Sequence, residues 1–235
     1  MRMAYANASP ALRIAHHEWG LVLKEPRFLL PFLVTPLLLV GLQASAVFLQ
    51  PLGSVHETLR LARFLLLMLA VLTPSLAVPL SADSFAGERE RNTLEILLCL
   101  PIRPGDLFWG KVLGIYPLPV LMGWMGQGAM LAVLAAKGML LPSFWPEAIR
   151  ALLLTPVLGL FLCALATLIS LGAESVRGAA QLSSLVMLAV FFAVMSSAGA
   201  LFDSAAAFAG ALAALLLGAW ICLLLGRRRF LRLPQ

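Results

Sequence analysis

SADSFAGERERNTLEILLCLPIRPGDLFWGK, residues 81–111, is a polar stretch set between two long apolar runs. It holds Asp83, Glu88, Arg89, Glu90, Arg91 and Glu95 within thirteen positions of a chain that is otherwise poor in charge. Hydrophobic residues make up 61% of the chain and charged residues 12%, whereas soluble domains average about 45–50% and about 25%. The fold class that follows is an all-α integral membrane protein, in which a short polar loop between two spans is offered to a soluble partner.

About 20 mostly apolar residues are needed to cross the hydrocarbon, and six stretches meet that requirement: 28–50, 64–82, 110–136, 151–173, 178–201 and 204–226. The last two are separated only by Asp203, which predicts a tight helical hairpin. With both termini inside, thirteen Lys and Arg lie on the cytoplasmic side and Arg60, Arg63, Lys137 and Arg150 lie outside. That asymmetry sets the orientation. It gives one membrane domain over 1–235, with cytoplasmic segments 1–27, 83–109 and 227–235, in the cytoplasmic (inner) membrane. Ala44-Ser45-Ala46 has the look of a signal-peptidase site, but the basic region before it would be too long and Pro31 and Pro36 interrupt the apolar run, so the first span is expected to stay. Phe144 and Trp145 fall where an interfacial aromatic belt is expected.

Before the first span, Leu12, Ala15, Trp19, Val22 and Leu23 recur at helical spacing, with Arg13, His17, Gly20, Lys24 and Arg27 opposite. This pattern predicts an amphipathic helix lying among the membrane lipids of the inner leaflet. The basic residues adjoin apolar runs instead of forming a patch with interleaved aromatics, which argues against nucleic acid as a partner. His16, His17 and Glu18 are adjacent and so diverge on a helix, and Cys99, Cys163 and Cys222 are solitary, so no metal cluster or disulfide framework is expected.

Within the polar stretch, Asp83 or Ser84 can cap a first turn, Gly87 is expected to break it, and Asn92 with Glu95 has the spacing of a capping box opening a helix over 93–100. Pro101 ends that helix. Two turns are too few to be stable alone, so Leu94, Ile96, Leu97 and Leu98 need a surface to pack on. The alternating charges Glu88 to Arg91 also fit a simple solvated turn.

The run from Asp83 through Glu88-Arg-Glu-Arg-Asn-Thr-Leu-Glu-Ile-Leu-Leu98, followed by Leu100-Pro-Ile-Arg103 and Gly110-Lys111, resembles the cytoplasmic signature of type-two ABC exporter permeases. Val176-Arg-Gly-Ala-Ala-Gln-Leu-Ser183 is similar to the second inner loop of that family. The resemblance implies six spans, an N-terminal interfacial helix, and a short coupling helix between spans two and three that docks on a separate ATPase. It makes Gly87, Glu88, Glu90, Thr93, Leu94 and Glu95 the docking surface, with Asp83, Arg89 and Arg91 in the same coupling segment. It further implies two ATPase copies carrying ATP and Mg, a second permease copy or homologue, and no cofactor on this chain. Short outer loops place the chain in a compact branch without a large extracellular domain, and leave the substrate class open.

Gly105 to Lys111 has the spacing of a phosphate-binding loop, but Val112 stands where Ser or Thr would hold magnesium and no strand precedes it. The ATP site is therefore expected on another polypeptide, and this chain is expected not to be an enzyme. No ionisable residue falls near the centre of a predicted span, which disfavours an ion-coupled carrier. Pro74, Pro79, Pro117 and Pro119 make spans two and three bendable. Span five carries Gln181, Ser183, Ser184, Ser196 and Ser197 around an apolar middle containing Met187 and Phe191. Polar ends around an apolar middle suit a wall for an amphipathic cargo, with Gln181, Met187, Phe191 and Ser196 lining it; the same hydroxyls could instead bond neighbouring helices. The expected function is the permease of an ATP-driven exporter of a hydrophobic or amphipathic compound, with a secondary transporter or a non-transporting membrane anchor as alternatives.

Overall fold

The structure, a computed structural model, describes residues 9–24, 30, 34, 37–42, 44–45, 55–91, 93 and 102–232. Among these residues all regular structure is helical. Five helices are long and apolar enough to cross a membrane: Glu57–Glu90, Pro104–Ala136, Pro142–Ser170, Val176–Ser196 and Ala205–Leu231. They correspond to expected spans two to six. The expected first span, 28–50, falls mostly outside the described residues. Four of the five helices run well past the limits read from hydropathy, because hydropathy marks the hydrocarbon layer while the backbone continues its own hydrogen bonding into the headgroups.

The largest departure is at the end of span two. Gly87 does not break the chain there. A 3-10 turn at Pro74–Leu76 leads into helix Ala77–Ser81, a wide π turn Ala82–Gly87 and a final turn Glu88–Glu90. Residues 83–90, expected as the start of a loop, are thus the last two turns of a span, and 104–109 already belong to the next helix. A glycine costs about 1 kcal/mol in a helix interior, but here it permits close approach: a Cβ at Gly87 would stand 3.3 Å from Val176 Cγ2 and 2.9 Å from an Arg91 guanidinium nitrogen. The π turn is braced from span four. Ser170 Oγ accepts from the Ala86 N–H at 3.0 Å and donates to the Ala82 carbonyl at 3.4 Å. One hydroxyl of span four thus adds a hydrogen bond at each end of the wide turn and holds it against the bundle.

Span three bends at Tyr116, where Pro117 withholds an N–H. Span four contains Pro156, which frees the carbonyl of Leu152 four residues earlier, and the Trp124 indole of span three donates to that carbonyl at 3.0 Å. Deeper in the bundle, Gln127 is fully buried and donates to Thr155 Oγ1 at 2.8 Å, while a Cβ at Gly123 would collide with Thr73 and Thr155. Spans two, three and four thus meet at an uncharged polar knot.

Charged residues gather at the two rims. At one, Arg63 pairs bidentately with Glu147 and reaches Asp203, while Arg150 donates to the Phe202 carbonyl. Spans five and six, expected to turn tightly at Asp203, are instead joined by a short helix Ala198–Asp203, and Ser204 caps span six through the Ala207 N–H. At the opposite rim the rings of Phe85, Phe108 and Phe230, all buried, lie with centroids 5.9–6.2 Å apart and bind together the ends of spans two, three and six. Phe144 is buried against spans two and three instead of facing the interface, and Trp145 is the exposed aromatic there. Leu185 and Phe192 on span five and Leu217 and Trp220 on span six face outward.

Candidate functional site

Span three enters the bundle through Gly110-Lys111-Val112-Leu113-Gly114. The two glycines, one turn apart, present bare backbone to the N-terminal helix Pro10–Lys24. A Cβ at Gly110 would lie 2.7 Å from Ile14 Cβ and 2.9 Å from the Ala11 carbonyl, and one at Gly114 would lie 2.7 Å from Glu18 Cβ. Small residues four apart let two backbones approach in this way. The N-terminal helix therefore turns a stripe of Ala11, Ile14, Ala15, Glu18 and Val22 toward the protein. Leu12, Trp19 and Leu23, expected with Ala15 and Val22 on one apolar face, form a separate exposed flank.

That docking carries Glu18 to Lys111, which is 1% exposed. Lys111 Nζ donates to Glu88 Oε1 at 2.6 Å, to Glu18 Oε1 at 3.0 Å and to the Ser84 carbonyl at 3.1 Å, with Ser84 Oγ at 3.3 Å. It also stands 5.7 Å from the centre of the Phe85 ring, within cation–π range. A buried ammonium without partners is prohibitively costly; here all three of its protons are taken. One side chain thus ties together the N-terminal helix, the signature end of span two and the start of span three. The same segment, with the spacing of a phosphate-binding loop, is regular helix, and from Asp106 onward its backbone N–H groups are spent on helical bonds.

The next signature residues reach the other half of the bundle. Arg89 donates to the carbonyls of Leu171 and Ala173 at 3.1 and 3.2 Å, where span four ends. Glu90 Oε2 accepts from the Val176 N–H at 3.0 Å, where span five begins. The cation meets the negative end of one helix dipole and the carboxylate meets the positive end of another. Arg229 of span six closes the group: a Cβ at Gly172 would lie 2.8 Å from its guanidinium. Asp83 and Arg91, two turns apart, pair at 3.2 Å above Gly87, and Thr93 donates to the Glu88 carbonyl at 3.1 Å.

The coupling segment is therefore divided by direction. Gly87 is buried, and Glu88, expected on a docking surface, turns inward to Lys111; Arg89 and Glu90 turn toward spans four and five. Arg91 is exposed. Leu94 and Glu95 lie outside the described residues. A family model of the ABC-2 family transporter proteins matches residues 12–210, which takes in the N-terminal helix, the signature and spans two to five. The chain belongs to the ABC-2 family. No individually curated protein matches it. It is a multi-pass transmembrane permease of an ABC transporter, and its family implies an ABC ATPase as partner.

Of the residues expected along a pathway, Gln181 and Met187 line an open cavity of about 730 Å³ beside Ser184 and Leu185 on the outward face of span five. Phe191 packs against the core formed by spans two, four and six. Ser196 Oγ donates to the Ala193 carbonyl of its own helix at 3.0 Å, so it does not bridge to a neighbour. Sequence reasoning assigns no contact to Glu18 and Ser170 in the permease, and it counts Lys111 only as the end of the signature. Lys111 did carry a signal: it is a lysine directly inside an apolar span, flanked by glycines one turn apart.

Proposed function

We propose that this permease is the membrane subunit of an ATP-driven exporter of a hydrophobic or amphipathic compound, working with two copies of an ABC ATPase that bind ATP and Mg and with a second permease copy or homologue. It has six spans, lies in the cytoplasmic membrane with both termini inside, and keeps the Lys111 rim on the cytoplasmic side. The observation that carries this reading is the Lys111 cluster. A push delivered to the exposed Arg91 and the chain beyond it meets no slack, because Glu88 hands it to span three and the N-terminal helix while Arg89 and Glu90 hand it to spans four and five. Packed elements of this kind move as rigid bodies between discrete arrangements. In this arrangement Arg91, Thr93, Leu94 and Glu95 make the contact with the ATPase, and Asp83, Gly87, Glu88, Arg89 and Glu90 transmit it. Span five, through Gln181, Met187, Phe191 and Ser196, forms the wall along which cargo leaves.

The test is purification of the tagged permease with its co-expressed ABC ATPase, scored for both attachment and substrate-stimulated ATP hydrolysis. Arg91→Glu with Glu95→Lys lowers the ATPase recovered. Glu88→Gln leaves recovery intact but reduces stimulation several-fold. Full recovery and normal stimulation in both variants would sink the proposal.

A further inference from the structure

At the rim away from Lys111 lies a cavity of about 330 Å³ between the first turns of span two and the entry to span four. Leu59, Leu141 and Phe144 supply its apolar wall, and Arg60, Arg63, Ser143 and Glu147 its polar one. The volume is at the lower end of the range for small-molecule sites, and an apolar wall with a few convergent polar groups is their usual character. Span four runs from Pro142 to Ser170, 29 residues, or roughly 43 Å at 1.5 Å per residue. The hydrocarbon takes about 30 Å of that, which leaves residues 142–147 at headgroup depth, as the exposed Trp145 beside the cavity also indicates.

The charges at this cavity are unequally satisfied. Arg63 spends its donors on both carboxylate oxygens of Glu147 and on Asp203, so both carboxylates find their partner within the protein. Arg60 lines the same cavity with its side chain exposed, and among the described residues no carboxylate lies within ion-pair distance of it. The Ser143 hydroxyl lies exposed on the opposite wall. The cavity therefore keeps one guanidinium that has no ion pair among the described residues, a hydroxyl donor and an apolar side at the depth where lipid phosphates sit.

We infer that this cavity is a binding site for the singly charged phosphodiester headgroup of a membrane lipid, with Arg60 and Ser143 on the phosphate and the start of the acyl chains against Leu59 and Leu141. A zwitterionic lipid offers the same phosphate but brings its own cation toward Arg60, so anionic lipid is preferred. One guanidinium and one hydroxyl suffice for a phosphodiester, which carries a single charge and two free oxygens to accept their hydrogen bonds.

The full-length permease, purified in detergent, is titrated with phosphatidylglycerol, phosphatidylcholine and sodium phosphate, and bound lipid is counted by native mass spectrometry. Wild type retains phosphatidylglycerol about fivefold better than phosphatidylcholine, the preference that one basic residue at a membrane surface confers. Arg60→Gln, an exposed substitution that leaves the Arg63 pairs untouched, loses most of that preference, and Leu141→Trp, which fills the cavity, lowers retention of both lipids. Arg228→Gln at the opposite rim serves as the control and retains the preference. Competition by sodium phosphate shows that the headgroup anion alone holds the site, and its failure to compete shows that the acyl chains are also required; both outcomes sustain the assignment. Equal retention of phosphatidylglycerol by wild type and Arg60→Gln, or no preference in wild type, overturns it. ATPase recovery is read on the same samples, so failure of the lipid site is distinguishable from failure of the exporter reading.

Discussion

Replacing Lys111 by methionine leaves two carboxylates facing each other with nothing between them. Glu18 and Glu88 are only 16% and 17% exposed at their side chains, so neither recovers full hydration when the ammonium is removed. Removing one partner of a buried ion pair costs about 3–5 kcal/mol, and partial access to water favours the lower end, about 3 kcal/mol. For a chain of this size, about 2–4 °C of melting temperature accompanies each kcal/mol, so Lys111→Met lowers the melting temperature by roughly 6–12 °C. The combined variant Glu18→Met, Glu88→Leu, Lys111→Met removes all three charges together, and apolar replacement of a whole buried cluster is commonly neutral or stabilising. It should recover more than half of the loss. Tryptophan-fluorescence melting in detergent checks both values, and ATPase stimulation separates stability from transmission: the combined variant melts near wild type yet remains uncoupled, because Glu88 no longer grips span three. A single variant that melts within about 2 °C of wild type, or a combined variant that transports normally, refutes the reasoning.

Three other outcomes follow from the contacts. Gly110→Val places side-chain atoms against Ile14 and the Ala11 carbonyl, so the N-terminal helix lifts and hydrogen exchange over residues 10–24 accelerates roughly tenfold or more; unchanged protection contradicts the docking. Ser170→Ala removes the hydroxyl that braces the buried Ala86 N–H and the Ala82 carbonyl, at a cost of about 0.5–1.5 kcal/mol, and melting measured beside Ser170→Cys, which keeps a weaker acceptor, should rank wild type above cysteine above alanine. In a cysteine-free background, an impermeant maleimide labels Lys137→Cys on intact cells and Arg91→Cys only after the membrane is opened; the reverse pattern inverts the orientation.

Composition and hydropathy determine that this chain is helical and crosses a membrane, since apolar runs of span length between charged flanks have no other stable form in lipid. They also locate the signature, because its charges stand out in a chain with so few. What they misplace is where span two stops. Gly87 reads as a breaker when its local cost is all that is known, yet Val176 and the Asp83–Arg91 pair need the space a side chain would occupy. Hydropathy likewise divides charged from apolar residues without showing which charges are buried. Lys111 counts as one more cytoplasmic cation in the sequence, and Glu18 and Glu88 as members of two unrelated polar stretches 70 positions apart. Only the packing of the N-terminal helix on Gly110 and Gly114 brings them to one point, because an ammonium can enter a bundle only where the surrounding elements supply an acceptor for each of its protons.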